Sequence, residues 1–163
     1  AVLLWLNILA VTGKSVQQML DDHWAKFGRN YYSRHDYEGV DAAVAEELMD
    51  AIRAQFDTLP GQAFAGKTVE SADEFAYDDP VDGSHSARQG VRIGFEGGGR
   101  AVFRLSGTGT VGATLRVYLE DVCEDPGAMH RDPQEALADI IAAADAIAGI
   151  RERTGRDGPD VRT

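Results

Sequence analysis

Two helical patterns of hydrophobic and polar positions lie in the N-terminal third of the chain. Ser15 is followed three residues later by Gln18, a capping box that predicts a helix over residues 15–27. Apolar residues then recur every fourth position over residues 40–57, which predicts a second, amphipathic helix. An apolar run over residues 2–11 precedes both, and we expect it to be the tail of a core helix.

A third helix is predicted near the C-terminus. Asp132 suits the N-cap and Pro133 the first helical position, where its missing N–H costs nothing. Gly155 is the expected C-terminal cap, and we expect the polar tail beyond it to be loose unless it docks on the molecule. The predicted core stripe of this helix comprises Leu137, Ile140, Ile141, Ala144, Ile147 and Ile150.

Between these helices the pattern changes to the alternation of half-buried strands. Residues 67–71, 74–77 and 90–96 are candidate strands, and the triple glycine at 97–99 predicts a hairpin tip. Two more apolar runs lie within residues 102–120 and are separated by a short loop. Because strands joined by short loops are antiparallel, the sequence predicts an α+β fold, an antiparallel sheet with helices packed on one face.

The loop between the last two predicted strands carries the candidate chemistry. Glycine allows successive N–H groups to point inward, and neighbouring hydroxyls add donors for an anion. Arg104 precedes the loop and Arg116 follows it, and guanidinium groups bind phosphate oxygens in a bidentate manner. A phosphate site and a glycine-rich hairpin with two solvated arginines both fit this pattern. The loop consists of Ser106, Gly107, Thr108, Gly109, Thr110 and Val111.

The stretch 28–37 is aromatic and basic and lacks a helical period, so we expect an extended connector. Aromatic residues beside Arg29 and Arg34 are also found where proteins stack on nucleic-acid bases. Packing of these aromatics in an interdomain linker fits the acidic chain better. The two arginines remain candidates for reaching an anionic ligand.

Composition and charge narrow the class of protein. A chain of 163 residues with 44% hydrophobic residues has room for one domain with a real core, plus a remnant. Its formal charge of −11 argues against nucleic acid or an anionic membrane as the main partner. The single cysteine, Cys123, excludes an intrachain disulfide and is typical of a reducing compartment.

The sequence shows no metal-ligand spacing. The four histidines are scattered, and the aspartates at 78, 79 and 82 belong to a turn without the spacing of an EF-hand. The apolar run 2–11 is too short to cross a bilayer, which takes about 20 residues, and it lacks the features of a signal peptide. We therefore predict neither a metal site nor a membrane partner.

Beyond these patterns, the chain resembles the C-terminal part of the α-phosphoglucomutases, within the α-D-phosphohexomutase superfamily. The resemblance covers nearly all 163 residues, in order and in spacing. The segments that carry it are AVLLWLNILA, DHWAKFGRNYYSRHDYE, VESADEFAYDDPVDGS, QGVRIGF, RLSGTGTVGATLRVYLE and IRERTGR.

This resemblance implies a place within a four-domain enzyme. Residues 1–27 would be the C-terminal remnant of the third, α/β domain, residues 28–37 a hinge connector, and residues 38–163 the C-terminal phosphate-binding domain. The last domain in this family is an antiparallel sheet with helices on one face, similar to the TATA-binding-protein fold. The hinge would let it close over the cleft as a rigid body.

An activity is also implied, the interconversion of glucose 1-phosphate and glucose 6-phosphate in the cytoplasm. A phosphoserine near Mg²⁺ donates its phosphoryl group, glucose 1,6-bisphosphate forms as the intermediate, and the phosphate that is not transferred sits in the last domain. The implied partners are these phosphosugars and the upstream domains of the same enzyme. The phosphate contacts carried onto this sequence are Arg104, Ser106, Gly107, Thr108, Gly109, Thr110 and Arg116.

Three features of that family have no counterpart in residues 1–163: the phosphoserine loop, the Asp-Gly-Asp-type metal loop and the sugar-reading loop. We therefore expect no catalytic residue in this chain and no activity from it alone. A non-catalytic anion-binding or interaction domain, or an inactive relative of the glucomutases, remains an alternative because the discriminating residues lie upstream.

Overall fold

The computed structural model describes residues 1–107 and 112–163. Hydrogen bonding joins the strands of this described part in the order β2–β3–β4–β5–β6–β1–β7, with every neighbouring pair antiparallel. The predicted α+β fold with an antiparallel sheet is confirmed. The strands are β1 (Arg29–Val40), β2 (Ala63–Phe64), β3 (Lys67–Asp78), β4 (His85–Phe95), β5 (Arg100–Ser106), β6 (Ala113–Cys123) and β7 (Val161–Arg162).

Helices cover one face of the sheet. The two that contribute most to the core, α3 and α5, pack against each other and against the central strands. Their contact face and the facing strand residues, such as Phe103 and Leu115, are fully buried. The helices are α1 (Val2–Thr12), α2 (Val16–Phe27), α3 (Ala42–Arg53), α4 (Pro133–Ala136), α5 (Ala138–Ala148) and α6 (Ile150–Thr154), with a 3₁₀ turn at Pro126–Ala128.

The predicted connector at 28–37 differs in one respect, because most of it is paired in the sheet as strand β1. Strand β1 pairs with β6 from Arg29 to Val40 and with β7 on its other edge. Gly28, with φ of 80°, is the point where the chain leaves α2 and enters the sheet. The hinge predicted over residues 28–37 stays a prediction.

Polar residues on the inward face of β1 explain why its strand pattern was hidden. His35 and Ser33 point toward the helices and are buried. Gln134 satisfies both, since it accepts from His35 Nε2 at 2.8 Å and donates to Ser33 Oγ at 2.8 Å. Burial lowers the pKa of His35, so the neutral ring is the favoured form.

The C-terminal part also differs from the single predicted helix. The helix begins at the Asp132 cap as predicted, but Gly149 adopts a left-handed conformation (φ 60°) that separates α5 from α6. Gly155 ends α6 as predicted. The tail then docks on the sheet, where Thr163 and Arg34 exchange two backbone hydrogen bonds of 2.9 and 3.0 Å.

Candidate strands 67–71 and 74–77 are one continuous strand, β3, with register shifts along its pairing with β4.

The second predicted helix is shorter than 40–57, because its N-cap is Asp41 and a series of turns follows Arg53. The capping box of α2 forms as predicted, with Ser15 and Gln18 bonded to each other's backbone. Helix α1 has no buried residue, and Leu3 is 77% exposed.

Candidate functional site

Arg104 and Arg116 are direct cross-strand partners where β5 and β6 approach their connecting loop. Partners in an antiparallel pair point to the same face, and the adjacent residues Phe103 and Val117 are buried under the helices. Both arginines therefore lie on the open face of the sheet. The pair forms a local cationic site in a chain whose formal charge is −11. Like charges directly opposite each other destabilise a sheet, so a bound anion would relieve this repulsion.

Asp36 of β1 is the second cross-strand partner of Arg116, on the side of β6 opposite Arg104. Its side chain is 6% exposed and accepts a hydrogen bond of 2.9 Å from Arg34 Nε. Arg116 Nε lies 3.8 Å from the second carboxylate oxygen, which is beyond hydrogen-bond distance. Among the described residues, this buried nitrogen has no hydrogen-bond partner. Asp36 thus attracts Arg116 without accepting a hydrogen bond from its Nε.

Strand β4 flanks β5 on the side opposite β6, and its Gly90 leaves space for the side chain of Arg104. A Cβ atom at this position would lie 2.9 Å from Arg104 Cγ and 3.1 Å from the carbonyl oxygen of Phe103. The aliphatic stem of Arg104 therefore crosses the backbone of Gly90. No local pattern in the sequence points to Gly90 or Asp36, because their contact with the arginines depends on strand register.

We expect Gly90→Ala to displace the stem of Arg104 and lower the affinity of the chain for inorganic phosphate about tenfold, or ~1.4 kcal/mol. Titration calorimetry with phosphate would measure this change. Gly158→Ala is the matched control, since its Cβ would make only an ordinary contact of 3.5 Å with Arg162. Equal phosphate affinity in both variants would contradict a role for Gly90 in seating Arg104.

The two ends of the candidate phosphate loop are fixed by the sheet. Ser106 and Thr114 are cross-strand partners that close the hairpin. Gly107 and Gly112 have φ values of 84° and 98°, which favour glycine. A Cβ on Gly112 would approach the carbonyl oxygen of Val40 to 3.0 Å, so this end of the loop lies against β1. The predicted site residues Thr108, Gly109 and Thr110 lie outside the described residues, as does Val111.

A pocket of about 450 Å³ opens beside Gly107, between α3 and the ends of β4 and β5. Arg53 on its wall is already engaged, because Glu74 accepts from its Nη2 at 2.7 Å and Asp50 from its Nη1 at 2.8 Å. Arg104 lines the same pocket, and so does the acidic Glu46 of α3. Gly107, at the near end of the candidate loop, therefore borders a concave space lined by arginines and one glutamate.

Arg29 and Arg34, the two arginines of the stretch 28–37, lie in different places relative to the site. Arg34 lies on the open face, where it pairs with Asp36. Arg29 lies at the opposite end of β1, opposite Cys123, with its guanidinium 4.4 Å from the Trp24 ring centre and 4.0 Å from that of Tyr31. Arg29 is a packing residue and does not belong to this site.

Within residues 1–107 and 112–163, no group of three or more His, Cys, Asp or Glu side chains has the arrangement of a metal site. None of the described helices is both long enough and apolar enough to cross a membrane. The described residues thus do not fit a resident magnesium ion.

The fold and the site define a class of protein: an α+β domain with an arginine-lined pocket where a helix meets the loop end of an antiparallel sheet. The chain belongs to the family of phosphoglucomutase C-terminal domains. The family model described as "Phosphoglucomutase-1, C-terminal domain" matches residues 29–160.

Similar proteins agree with this membership. The chain is 53% identical to a phosphoglucomutase of Rhizobium radiobacter over 163 residues, and 47% identical to human phosphoglucomutase-1 over 169 residues. Each alignment covers 100% of this chain and 30% of the relative, so the chain spans about 30% of their length.

A solved structure gives the same result. The open form of pp63/parafusin, a phosphoglucomutase from Paramecium, matches with a TM-score of 0.87 and 43% identity. The match covers 99% of this chain and 28% of that one.

Proposed function

We propose that this chain is the C-terminal phosphate-binding part of a phosphoglucomutase. The complete enzyme would interconvert glucose 1-phosphate and glucose 6-phosphate through glucose 1,6-bisphosphate. This part would hold the phosphate that is not being transferred. The cytoplasm is the proposed location, since relatives such as those of Populus tremula and Pisum sativum are named cytoplasmic phosphoglucomutases.

One observation carries the proposal: Arg104 and Arg116 lie directly opposite each other beside the glycine-rich loop. Such a pair of like charges is unfavourable until an anion lies between the two guanidinium groups. Phosphate fits because it offers several oxygens, and each guanidinium presents a fork of donors to two of them. Ser106 on the same strand face adds a hydroxyl, and the loop amides would supply further donors.

The proposed contribution to catalysis is positioning. Holding one phosphate fixes the substrate so that its distant hydroxyl meets the phosphoserine, which turns binding energy into orientation. The same site must accept the sugar in two opposite orientations during the reaction. A cradle of guanidinium groups, amides and hydroxyls suits this task because it contacts phosphate oxygens and ignores the sugar hydroxyls.

The rest of the reaction is assigned to parts of the complete protein outside this chain. We infer that they supply the phosphoserine and the Mg²⁺ site, and that residues 1–27 belong to the preceding domain. Two facts support this boundary: the family model begins at residue 29, and the apolar residues of α1 are exposed. Residues 38–163 and most of the strand before them would then move as one body, with Gly28 at the joint.

A two-part experiment tests the proposal. The complete protein would be assayed for conversion of glucose 1-phosphate to glucose 6-phosphate, and the 163-residue chain would be titrated with inorganic phosphate and with both sugar phosphates. We expect activity from the complete protein, and phosphate-competable sugar-phosphate binding without activity from the chain alone.

Each alternative gives a different result. Binding by the chain together with an inactive complete protein would support a non-catalytic anion-binding domain or an inactive relative. No binding of phosphate or sugar phosphate by the chain would contradict the assigned anchoring role.

A further inference from the structure

A wide bulge interrupts the pairing of β3 and β4 next to the pocket. Phe75 pairs with Gly90 and Tyr77 pairs with Ser86, so one residue of β3 lies opposite three residues of β4, 87–89. Arg88 is the middle residue of the three, and its φ is 54°. A non-glycine residue in this left-handed region is uncommon.

A second non-glycine residue with positive φ shows why Arg88 is unusual. Ala65, with φ of 48°, precedes Gly66 in the two-residue turn that joins β2 to β3. Positive φ at both central residues is what this hairpin turn requires, so Ala65 needs no further explanation. Arg88 is in no such turn. Bulges redirect side chains near binding sites, and strained residues concentrate where function fixes them.

The bulge places Arg88 on the wall of the pocket that Arg104 and Gly107 also line. Neither arginine has an ion-pair partner among the residues that the structure describes, whereas Arg53 on the same wall has two. Glu46 is the one acidic residue among those that line this pocket, so Arg88 and Arg104 leave it with a net positive lining in a chain of 27 acidic and 16 basic residues. The natural counterion is a multivalent anion.

We propose that Arg88 is a further substrate-binding residue, a third guanidinium supplied to the phosphate from β4. Its ligand would be the dianionic phosphate monoester of the bound sugar, in the pocket that Arg88 and Arg104 both line. The proposal rests on the proposed function, because it assigns another contact to the same phosphate. It assigns a phosphate contact to β4, which the pattern of the loop and its two flanking strands does not include. It also explains the bulge, because the bulge places Arg88 on the pocket wall.

Steady-state kinetics of the complete protein test this assignment. We expect Arg88→Ala and Arg88→Gly to raise KM for glucose 1-phosphate about tenfold with kcat nearly unchanged, since an exposed contact made equally in both states adds uniform binding. Phosphate should also become about tenfold weaker as a competitive inhibitor of both variants, the lower end of the range for charged hydrogen bonds.

Stability separates a binding role from a structural one. Arg88→Gly removes the strain of a positive φ, so its urea midpoint should equal or exceed that of the unchanged protein while phosphate inhibition weakens. A structural residue would lose stability and keep its affinity. Ala65→Gly controls for relief of strain at a distant turn, and it should leave KM unchanged.

Arg92→Ala controls for a general loss of charge. Arg92 lies on the same strand, is paired with Asp73 at 2.7 Å, and does not line the pocket. If Arg92→Ala raises KM as much as Arg88→Ala does, the result contradicts a specific contact between Arg88 and the phosphate.

The Arg116→Ala variant separates failure of this assignment from failure of the proposed function. If both Arg88 variants keep normal KM and normal phosphate inhibition, while Arg116→Ala is impaired, Arg88 does not bind the phosphate but the proposed function stands. If Arg116→Ala also behaves normally, the proposed function itself fails.

Discussion

Replacing Arg116 with alanine in the complete protein is expected to lower kcat/KM for glucose 1-phosphate by about 30- to 1,000-fold, or ~2–4 kcal/mol. The Arg116 side chain is 37% exposed, and its Nε has no hydrogen-bond partner among the described residues, so we expect the exposed part of the guanidinium to bind the phosphate. Removing it would also leave Arg34 as the one cation that pairs with Asp36 among the described residues. Steady-state kinetics in the forward direction would give the ratio.

Arg100→Ala is the matched control for Arg116→Ala. Arg100 lies on the same face of the sheet but is 61% exposed and paired with Glu120. An exposed ion pair contributes about 0–1 kcal/mol, so this variant should keep nearly full activity. A loss smaller than tenfold in Arg116→Ala would count against the assignment of Arg116 to the phosphate.

Asp36→Ala is expected to lower the free energy of unfolding by about 2–3 kcal/mol, which urea denaturation of the 163-residue chain would measure. The carboxylate is buried, and its removal leaves Arg34 and Arg116 facing each other without an anion. The effect stays below that of a fully buried pair because both arginines are about one-third exposed, at 35% and 37%. Phosphate should bind this variant and restore part of the lost stability, by linkage.

Asp73→Ala provides the comparison for Asp36→Ala. Asp73 also accepts from an arginine at 2.7 Å, but its side chain is 51% exposed. Its removal should change stability by about 0–1 kcal/mol. Equal losses in the two variants would mean that the buried position of Asp36 adds nothing.

Local signals predicted the ends of helices well. Ser15 and Gln18 form their reciprocal capping box, and Asp132 caps α4 through two backbone N–H groups. Each cap depends only on residues within three or four positions, so the sequence contains all the required information. Gly155 ends the last helix for the same reason, since glycine adopts the left-handed conformation easily.

Strand β1 was missed because its inward face is half polar. Ser33 and His35 lie where apolar residues would mark a strand, and their burial is tolerated because Gln134, about a hundred positions later, hydrogen-bonds to both. No local rule anticipates such a partner. The docking of the tail on this strand likewise required a free edge that only the assembled sheet provides.

The amino-acid sequence by itself determined the alternation of the strands, the helix caps and the short glycine- and hydroxyl-rich loop with an arginine on each side. Those features are local, because they follow from side-chain type and from backbone freedom at neighbouring positions. Only the tertiary structure decided that Arg104 faces Arg116, that Asp36 stands beside them, and that Gly90 and Arg88 of another strand border the same pocket. Strand register brings these residues together, and register is set by how the whole core packs.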